Sequence, residues 1–354
     1  MKNLKNSVLL TIIFFICSCS NSEENTSIAA IYFPPNNSNT WETKTLTELG
    51  WNQNNLQPLL DYLELKNTKS FIILHNGKIV VENYFGAHTT ATPWYWASAG
   101  KTLTSTVAGI AEQEGLININ NKVSDYLGTG WTSAPIANEN LITCKNLLSM
   151  NSGLDSAQGS GVSPENLQYI ANAGTRWAYH NVYVKMQDVV AQASGQTWDA
   201  YFKTKLKDKI GMTGYWNQVE ALSIYSSNTR SMARFGLMIF ANGKWNSTQI
   251  INQNYLTAAT NTSQDINQAY GYLWWLNGKS SYQLPSSQIE FSGKLIPNAP
   301  NDMYAALGKN DQKMYIVPSK KIVIIRMGNS ADGSSFGLSD FDNVLWEKIN
   351  AVIN

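Results

Sequence analysis

Phe71-Ile72-Ile73-Leu74-His75-Asn76-Gly77-Lys78-Ile79-Val80-Val81 is the stretch from which the fold is read. Two apolar runs flank Asn-Gly, a pair that tolerates the positive φ needed at both central positions of a tight hairpin turn. The pattern predicts two antiparallel strands. A second pair lies near the other end of the chain: Met314-Tyr315-Ile316-Val317, a Pro318-Ser319 turn, then Ile322-Val323-Ile324-Ile325. Between the pairs the apolar period becomes helical. Leu103, Val107, Ile110 and Ala111 form one face of an amphipathic helix expected to end at Gly115. Trp198, Tyr201, Phe202, Leu206 and Ile210 form a second helix, and Met232, Phe235, Gly236, Ile239 and Phe240 a third. Leu56, Leu59, Leu60 and Leu63 predict a helix before the first hairpin. Ser339 with Asp342 marks the capped start of a last one, presenting Phe341, Val344, Leu345 and Ile349.

Strands at both ends of a helical middle do not suit a doubly wound parallel sheet. The expected fold is α/β of the α+β kind. An antiparallel sheet built from the N- and C-terminal strands is flanked by helices, and a mainly helical lobe is added to it. The sheet lobe would comprise about 51–115 and 285–354 and the helical lobe about 116–284, with a cleft where they meet.

The 354 residues are 43% hydrophobic and 11% aromatic, as in a folded domain, and the net charge is +1. No basic run exceeds a pair such as Lys320-Lys321, which excludes a nucleic-acid partner. At the start, Lys2 and Lys5 precede the apolar run Val8–Ile16 and then Cys17-Ser18-Cys19. The run is too short to span a bilayer comfortably and has the layout of a secretory signal. Small residues leading into Cys19 resemble a lipoprotein cleavage site; the alternatives are an ordinary signal peptide cut nearby, an uncleaved anchor, or Cys17 as the modified residue. The expected organisation is a signal peptide over 1–18, a lipidated Cys19, a flexible tether over 19–50 and a folded body over 51–354. The destination would be the outer membrane, on its periplasmic side or at the cell surface, with the lipid anchor as the membrane contact. Cys144 is then left without a disulfide partner. His75, His88 and His180 are scattered, so neither a metal nor a cofactor is expected. Nothing in the pattern speaks to oligomeric state.

Ser98-Ala99-Gly100-Lys101 opens the first of the middle helices, and its three-residue spacing puts both side chains on one face of a turn. The N-terminal dipole of that turn would favour negative charge developing at Ser98. Taken alone, Ser98 reads as easily as a helix cap and Lys101 as a surface lysine. Downstream comes Gly174-Thr175-Arg176-Trp177-Ala178-Tyr179-His180-Asn181. Ser98-x-x-Lys101 followed by Tyr179-x-Asn181 resembles the paired motifs of the serine β-lactamase and penicillin-binding-protein superfamily. Leu147-Leu148-Ser149-Met150-Asn151-Ser152-Gly153-Leu154, Met232-Ala233-Arg234-Phe235-Gly236 and Tyr270-Gly271-Tyr272-Leu273-Trp274-Trp275 resemble further stretches of that family, in order. A second Y-x-N, Tyr215-Trp216-Asn217, follows what the family uses as a structural turn, so Tyr179 takes the assignment.

The resemblance implies a β-lactamase-like serine hydrolase over 51–354. Ser98 would be the nucleophile, Lys101 and Tyr179 would activate it, and Asn181 would orient Lys101 and the substrate. The Lys101 ammonium is expected to lower the Tyr179 phenol. The family's third motif, a cation followed by a small residue and glycine, falls on Ala306-Leu307-Gly308, so the cation is missing although Lys309 follows. Gly308 would let the strand approach a substrate closely, and the backbone N–H of Lys309 would join that of Ser98 in an oxyanion hole. The missing cation weakens the D-Ala-D-Ala carboxypeptidase and β-lactamase readings. The stretch from Pro300 to Pro318 looks more like the esterase and 6-aminohexanoate-oligomer hydrolase branch. The implied substrate is a small ester, amide or peptide-like molecule. A reading of another class is a non-catalytic lipoprotein that binds cell-wall peptides. Trp94, Tyr95, Trp96, Trp274 and Trp275 serve equally as a cleft wall or as core.

Overall fold

A computed structural model describes residues 30–333 and 337–354. The expected signal peptide, Cys19 and the first part of the tether lie outside the described residues. Strand β1 (Thr68–His75) turns into β2 (Lys78–Tyr84) through Asn76 and Gly77, at φ 48° and 87°. The sheet is completed by β3 (Trp275–Leu276), β4 (Tyr304–Gly308), β5 (Gln312–Val317) and β6 (Ile322–Gly328). Its order is β2-β1-β6-β5-β4-β3, antiparallel throughout, so the two ends of the chain meet at the β1–β6 pair. Strands β5 and β6 are buried at every residue, as a continuous apolar run covered on both faces requires.

Helix α1 (Leu56–Leu65) and the last helix, α6 (Asp340–Ile353), cover one face of the sheet; Tyr62 stacks on Phe341 at 5.8 Å. The Ser339–Asp342 capping box predicted for α6 is present. On the same face Lys313, wholly buried in β5, pairs with Asp342 at 2.6 Å and Asp311 at 3.1 Å. Helix α4 (Thr229–Phe240) covers the other face, with Gly236 admitting Val323 and Met314 where a Cβ would come within 2.6 Å.

Helix α2 (Lys101–Gln113) follows the S-x-x-K turn and departs from expectation. Every residue from Lys101 to Ala111 is buried, so the helix has no polar, solvent-facing side. Its Thr, Ser, Ala and Gly residues are small enough for neighbours to close in all round. At Gly109 an added Cβ would meet the Tyr255 ring at 2.4 Å, in helix α5 (Gln253–Ala259). Tyr255 donates to the Ser105 carbonyl at 2.9 Å. Gln187, in helix α3 (Lys185–Ser194), donates to Thr104 at 3.1 Å.

The lobe boundaries need correction accordingly. Helix α4 and strand β3, drawn from 116–284, belong to the sheet. Helix α2, drawn from 51–115, packs on the helices of the other lobe. That lobe also carries a three-stranded sheet, in which Trp94–Tyr95 pairs with Leu222–Ser227 and the latter with Tyr215–Val219.

The described part of the expected tether over 19–50 is not loose. From Ile31 onward the chain belongs to the compact body. Tyr32 bonds the Asn76 carbonyl at 3.1 Å, the buried Trp41 indole donates to the Gly77 carbonyl at 2.7 Å, and Thr43 pairs in parallel with Ile79. The Arg234 guanidinium lies 5.4 Å from the Trp41 ring and donates to the carbonyls of Pro35 and Ser38. Two apolar anchors, Trp41 and Leu46, and borrowed hydrogen bonds are enough to seat a segment whose composition is polar.

Candidate active site

The nucleophile turn begins with a backbone residue in an unfavourable region. Ala97 sits at φ 48°, a left-handed conformation that costs a residue with a Cβ roughly 1–2 kcal/mol. Its neighbour Trp96 is held on both sides of the peptide. The Trp96 N–H bonds the Tyr225 carbonyl at 2.8 Å and its buried indole donates to Ser227 at 2.8 Å. The kink turns the chain from the short strand into a 3-10 turn, Ala97–Gly100, and leaves Ser98 partly exposed while α2 runs into the interior. Neither the 3-10 turn nor α2 has a side-chain cap bond, so Ser98 is not a helix cap.

Lys101 is not a surface lysine. It is 3% exposed, its Nζ donates to Ser98 Oγ at 2.8 Å, and no carboxylate among the described residues pairs with it. Instead Nζ lies 4.8 Å from the ring centroid of Tyr179 and 4.5 Å from that of Tyr183. Ring faces offset part of the cost of burying a cation, but less than water would. Burial pushes the Lys101 ammonium down to about 7, so near neutral pH about half of the molecules hold a free amine there.

Tyr179 reaches the serine from a loop shelved on the Leu147–Leu154 stretch. Ala178 bonds the Met150 carbonyl and Gly174 the Asn151 carbonyl, both at 2.8 Å. Gly153, at φ 77°, allows the close pass, since a Cβ there would lie 2.1 Å from the Ala171 carbonyl oxygen. The Tyr179 ring stacks on Trp275 at 5.8 Å. Burial raises its phenol to about 12, against the lowering effect of a hydrogen bond with Ser98. The expected lowering by a Lys101 ammonium is therefore corrected: desolvation drives both groups toward their neutral forms. Thus the structure brings Ser98, Lys101 and Tyr179 together. Tyr183, which completes the aromatic cover over Lys101, was missed in the sequence, although it follows Tyr179 by four residues.

The other predicted site residues divide. Asn181 donates to the Ser160 carbonyl at 3.1 Å and makes no hydrogen bond to Lys101, so the lysine is oriented by Ser98 and the two rings instead. Gly308 is pressed against the nucleophile turn rather than left open for a substrate. A Cβ there would stand 2.4 Å from the Trp96 carbonyl oxygen and 2.9 Å from the Ala99 nitrogen. Ala306, at the place of the family's cation, is buried in the sheet. Lys309 is exposed and lines the same cavity of about 270 Å³ as Ser98, Tyr179, Trp275 and Leu307. Tyr215 and Asn217 lie on the small sheet outside that cavity, with Asn217 donating to Ser226 at 3.0 Å. Of the aromatics left open between wall and core, Trp275 lines the cavity, whereas Trp96 and Trp274 are wholly buried. Cys144 is buried and unpaired, and no cluster of three or more metal-ligating side chains occurs among the described residues.

The chain is similar to known proteins over most of its length. An uncharacterised protein of Alkalihalophilus pseudofirmus is 26% identical over 300 residues, covering 74% of this chain and 83% of its own length. A provisionally assigned 6-aminohexanoate-dimer hydrolase from Bacillus anthracis superposes with a TM-score of 0.68 at 18% identity, covering 90% of this chain and 88% of that one. A family VIII carboxylesterase superposes at 0.63 with 16% identity, covering 84% and 96%. At such identities the solved structures attest the fold alone. The β-lactamase family profile matches residues 68–345, from the first strand of the sheet into its last helix, and the chain belongs to that family of serine hydrolases.

Proposed function

We propose that the protein is an exported, lipid-anchored serine hydrolase that cleaves a small ester or amide through an acyl-enzyme on Ser98. The observation that carries the proposal is the 2.8 Å contact between Ser98 Oγ and a buried lysine amine with no carboxylate partner. A serine hydroxyl needs an adjacent base, and an amine held near 7 is a competent one at neutral pH. As Oγ attacks the carbonyl carbon, its proton passes to Lys101 Nζ. The carbonyl oxygen takes the negative charge toward the N–H groups of Ser98 and Lys309. Collapse breaks the bond to the leaving oxygen or nitrogen, which takes a proton from the Tyr179 phenol, and Lys101 returns its proton to Tyr179. Water then repeats the attack on the acyl carbon, releasing the acid and restoring Ser98. A phenol raised to about 12 stays protonated through the neutral range, which suits a donor to a leaving group better than a primary base. The buried alanine at the family's cation position favours this reading over a β-lactamase or D-Ala-D-Ala carboxypeptidase.

Labelling with a fluorophosphonate probe tests the nucleophile. The wild type should be labelled and Ser98→Ala should not; equal labelling of both, or none of either, refutes the acyl-enzyme and leaves a binding protein. Turnover of a p-nitrophenyl ester set against a chromogenic cephalosporin tests the class, with rapid cephalosporin hydrolysis reversing the ranking.

A further inference from the structure

Lys313 is wholly buried, and the three hydrogens of its ammonium meet three acceptors: Asp342 Oδ2 at 2.6 Å, the Gly337 carbonyl at 2.7 Å and Asp311 Oδ1 at 3.1 Å. The two carboxylates are engaged in turn. Asp311 accepts from the Ala331 N–H at 2.9 Å and the Ser339 hydroxyl at 2.8 Å. Asp342 accepts from the Ser339 N–H at 3.0 Å and from the Tyr315 hydroxyl. Arg326, also wholly buried, donates to the carbonyls of Asn310 and Asp311 at 3.0 Å, so two cations stand with two carboxylates. Desolvating such a cluster costs about as much as the pairing returns, and an apolar replacement is often as stable or more so. What the cluster supplies is a position. Apart from Tyr315, the arms of Lys313, Asp311 and Asp342 end on the connection between β6 and α6, at Ala331, Gly337 and Ser339.

That connection is a wall of the site. Gly337 and Leu338 line the cavity over Ser98, as does Leu307, the cross-strand partner of Lys313. Gly337 is pressed on the Leu307–Gly308 peptide, where an added Cβ would lie 3.0 Å from both the Gly308 nitrogen and the Leu307 carbonyl carbon. Gly308 in turn abuts Trp96 and Ala99, which bracket Ser98 in the chain. An unbroken stack of contacts thus leads from the Lys313 ammonium through the Gly337 carbonyl and the end of β4 to the nucleophile turn.

We infer that Lys313 is a positioning residue for the Ser98 chemistry: through Gly337 it holds the end of β4 against the nucleophile turn without touching substrate. The inference rests on the hydrolase reading. Lys309, whose N–H would receive the oxyanion, follows Gly308 directly, so a retreat of Gly337 loosens that donor. The loss falls on the transition state, where the charge develops, and little on substrate binding.

The test compares the full chain with Lys313→Met and with Lys313→Met/Asp342→Asn. The single variant leaves two carboxylates against one guanidinium and should unfold at lower urea. The double variant restores the balance of charge and should regain most of the lost midpoint, yet its methionine offers the Gly337 carbonyl no donor. In both, kcat on a p-nitrophenyl ester should fall about a hundredfold, as for a catalytic group displaced by about 1 Å, with KM within about threefold of the wild type. Fluorophosphonate labelling should slow in proportion, and hydrogen exchange at the 304–309 amides should quicken. Gly337→Ala keeps the ions intact and crowds the same peptide, so it should lower kcat about tenfold at unchanged KM. Recovery of kcat together with the urea midpoint in the double variant would make Lys313 merely structural and overturn the inference. So would a rise in KM at constant kcat, unaltered exchange at 304–309, or wild-type kcat in Gly337→Ala. A wild type that neither labels nor turns over ester overturns the hydrolase reading instead, and exchange that still quickens would leave Lys313 holding the wall of a binding cavity.

Discussion

In the unfolded chain the Lys101 amine holds its proton up to about 10.5; in the folded protein burial releases it at about 7. Between those values the unfolded state binds a proton that the folded state has given up. The stability of the wild type must therefore rise as pH climbs from 7 toward 10.5. At pH 7 the penalty is about 4 kcal/mol, taking roughly 1.4 kcal/mol for each unit between the two values. Replacing Lys101 with methionine, close in length and uncharged, removes that penalty. It also forfeits the bond to Ser98 and the two ring contacts, together worth about 1–2 kcal/mol. Lys101→Met should thus be more stable than the wild type by about 2–3 kcal/mol at pH 7. At pH 10.5 the advantage should vanish or change sign. Urea denaturation of both proteins at the two pH values measures this. Ester turnover should meanwhile fall by about 10²–10⁴, the contribution usual for a positioned base. A variant less stable at pH 7, by an amount that does not move with pH, would refute the claim that this lysine is held neutral by burial.

Two further outcomes follow from the same geometry, and a third from the sequence before the folded body. The acylation rate should increase with pH through about 7 as Lys101 loses its proton, with no fall until Tyr179 ionises near 12; a limb falling between pH 8 and 10 would require another acid. Gly308→Ala forces a Cβ to within 2.4 Å of the Trp96 carbonyl oxygen, so strand β4 must move back by about 1 Å. That displacement should cost about a hundredfold in kcat and about 1–3 kcal/mol in stability, and wild-type kinetics would contradict the seating of β4 on the nucleophile turn. Cys19→Ala should abolish incorporation of radiolabelled palmitate, and labelling that persists would shift the lipid to Cys17.

The elements that could be read from the sequence are those whose local pattern agrees with their tertiary setting. Asn76-Gly77 specifies its turn whatever packs around it, and the apolar runs of β5 and β6 suit strands buried on both faces. Helical spacing puts Ser98 and Lys101 on one face, and the burial of Lys101 turns that into a contact. Tyr179 was found through its place in a familiar series, since nothing local marks a loop tyrosine as a partner for a distant lysine. What stayed hidden depends on neighbours remote in the chain. Thr102, Thr104, Ser105 and Thr106 look like the wet side of a helix and are buried because other helices come close to them. Residues 31–50 look like a tether and are seated by Trp41, Leu46 and the carbonyls that Arg234 reaches. Asn181 stands in the family's register, yet its amide is engaged by Ser160. The small sheet at 215–227 carries too short and too exposed a pattern to be distinguished from a loop.

Helix α2 is enclosed from Lys101 to Ala111 by its neighbours, helices α3 and α5 among them, and that has a bearing on how such a protein can diversify. A substitution along those turns perturbs two interfaces at once, so the reactive centre is poor ground for inherited variation. The segment carrying Ser286 borders the cavity over Ser98 without gripping the helix. New appetites should accumulate on that periphery, while the hub beneath stays chemically the same.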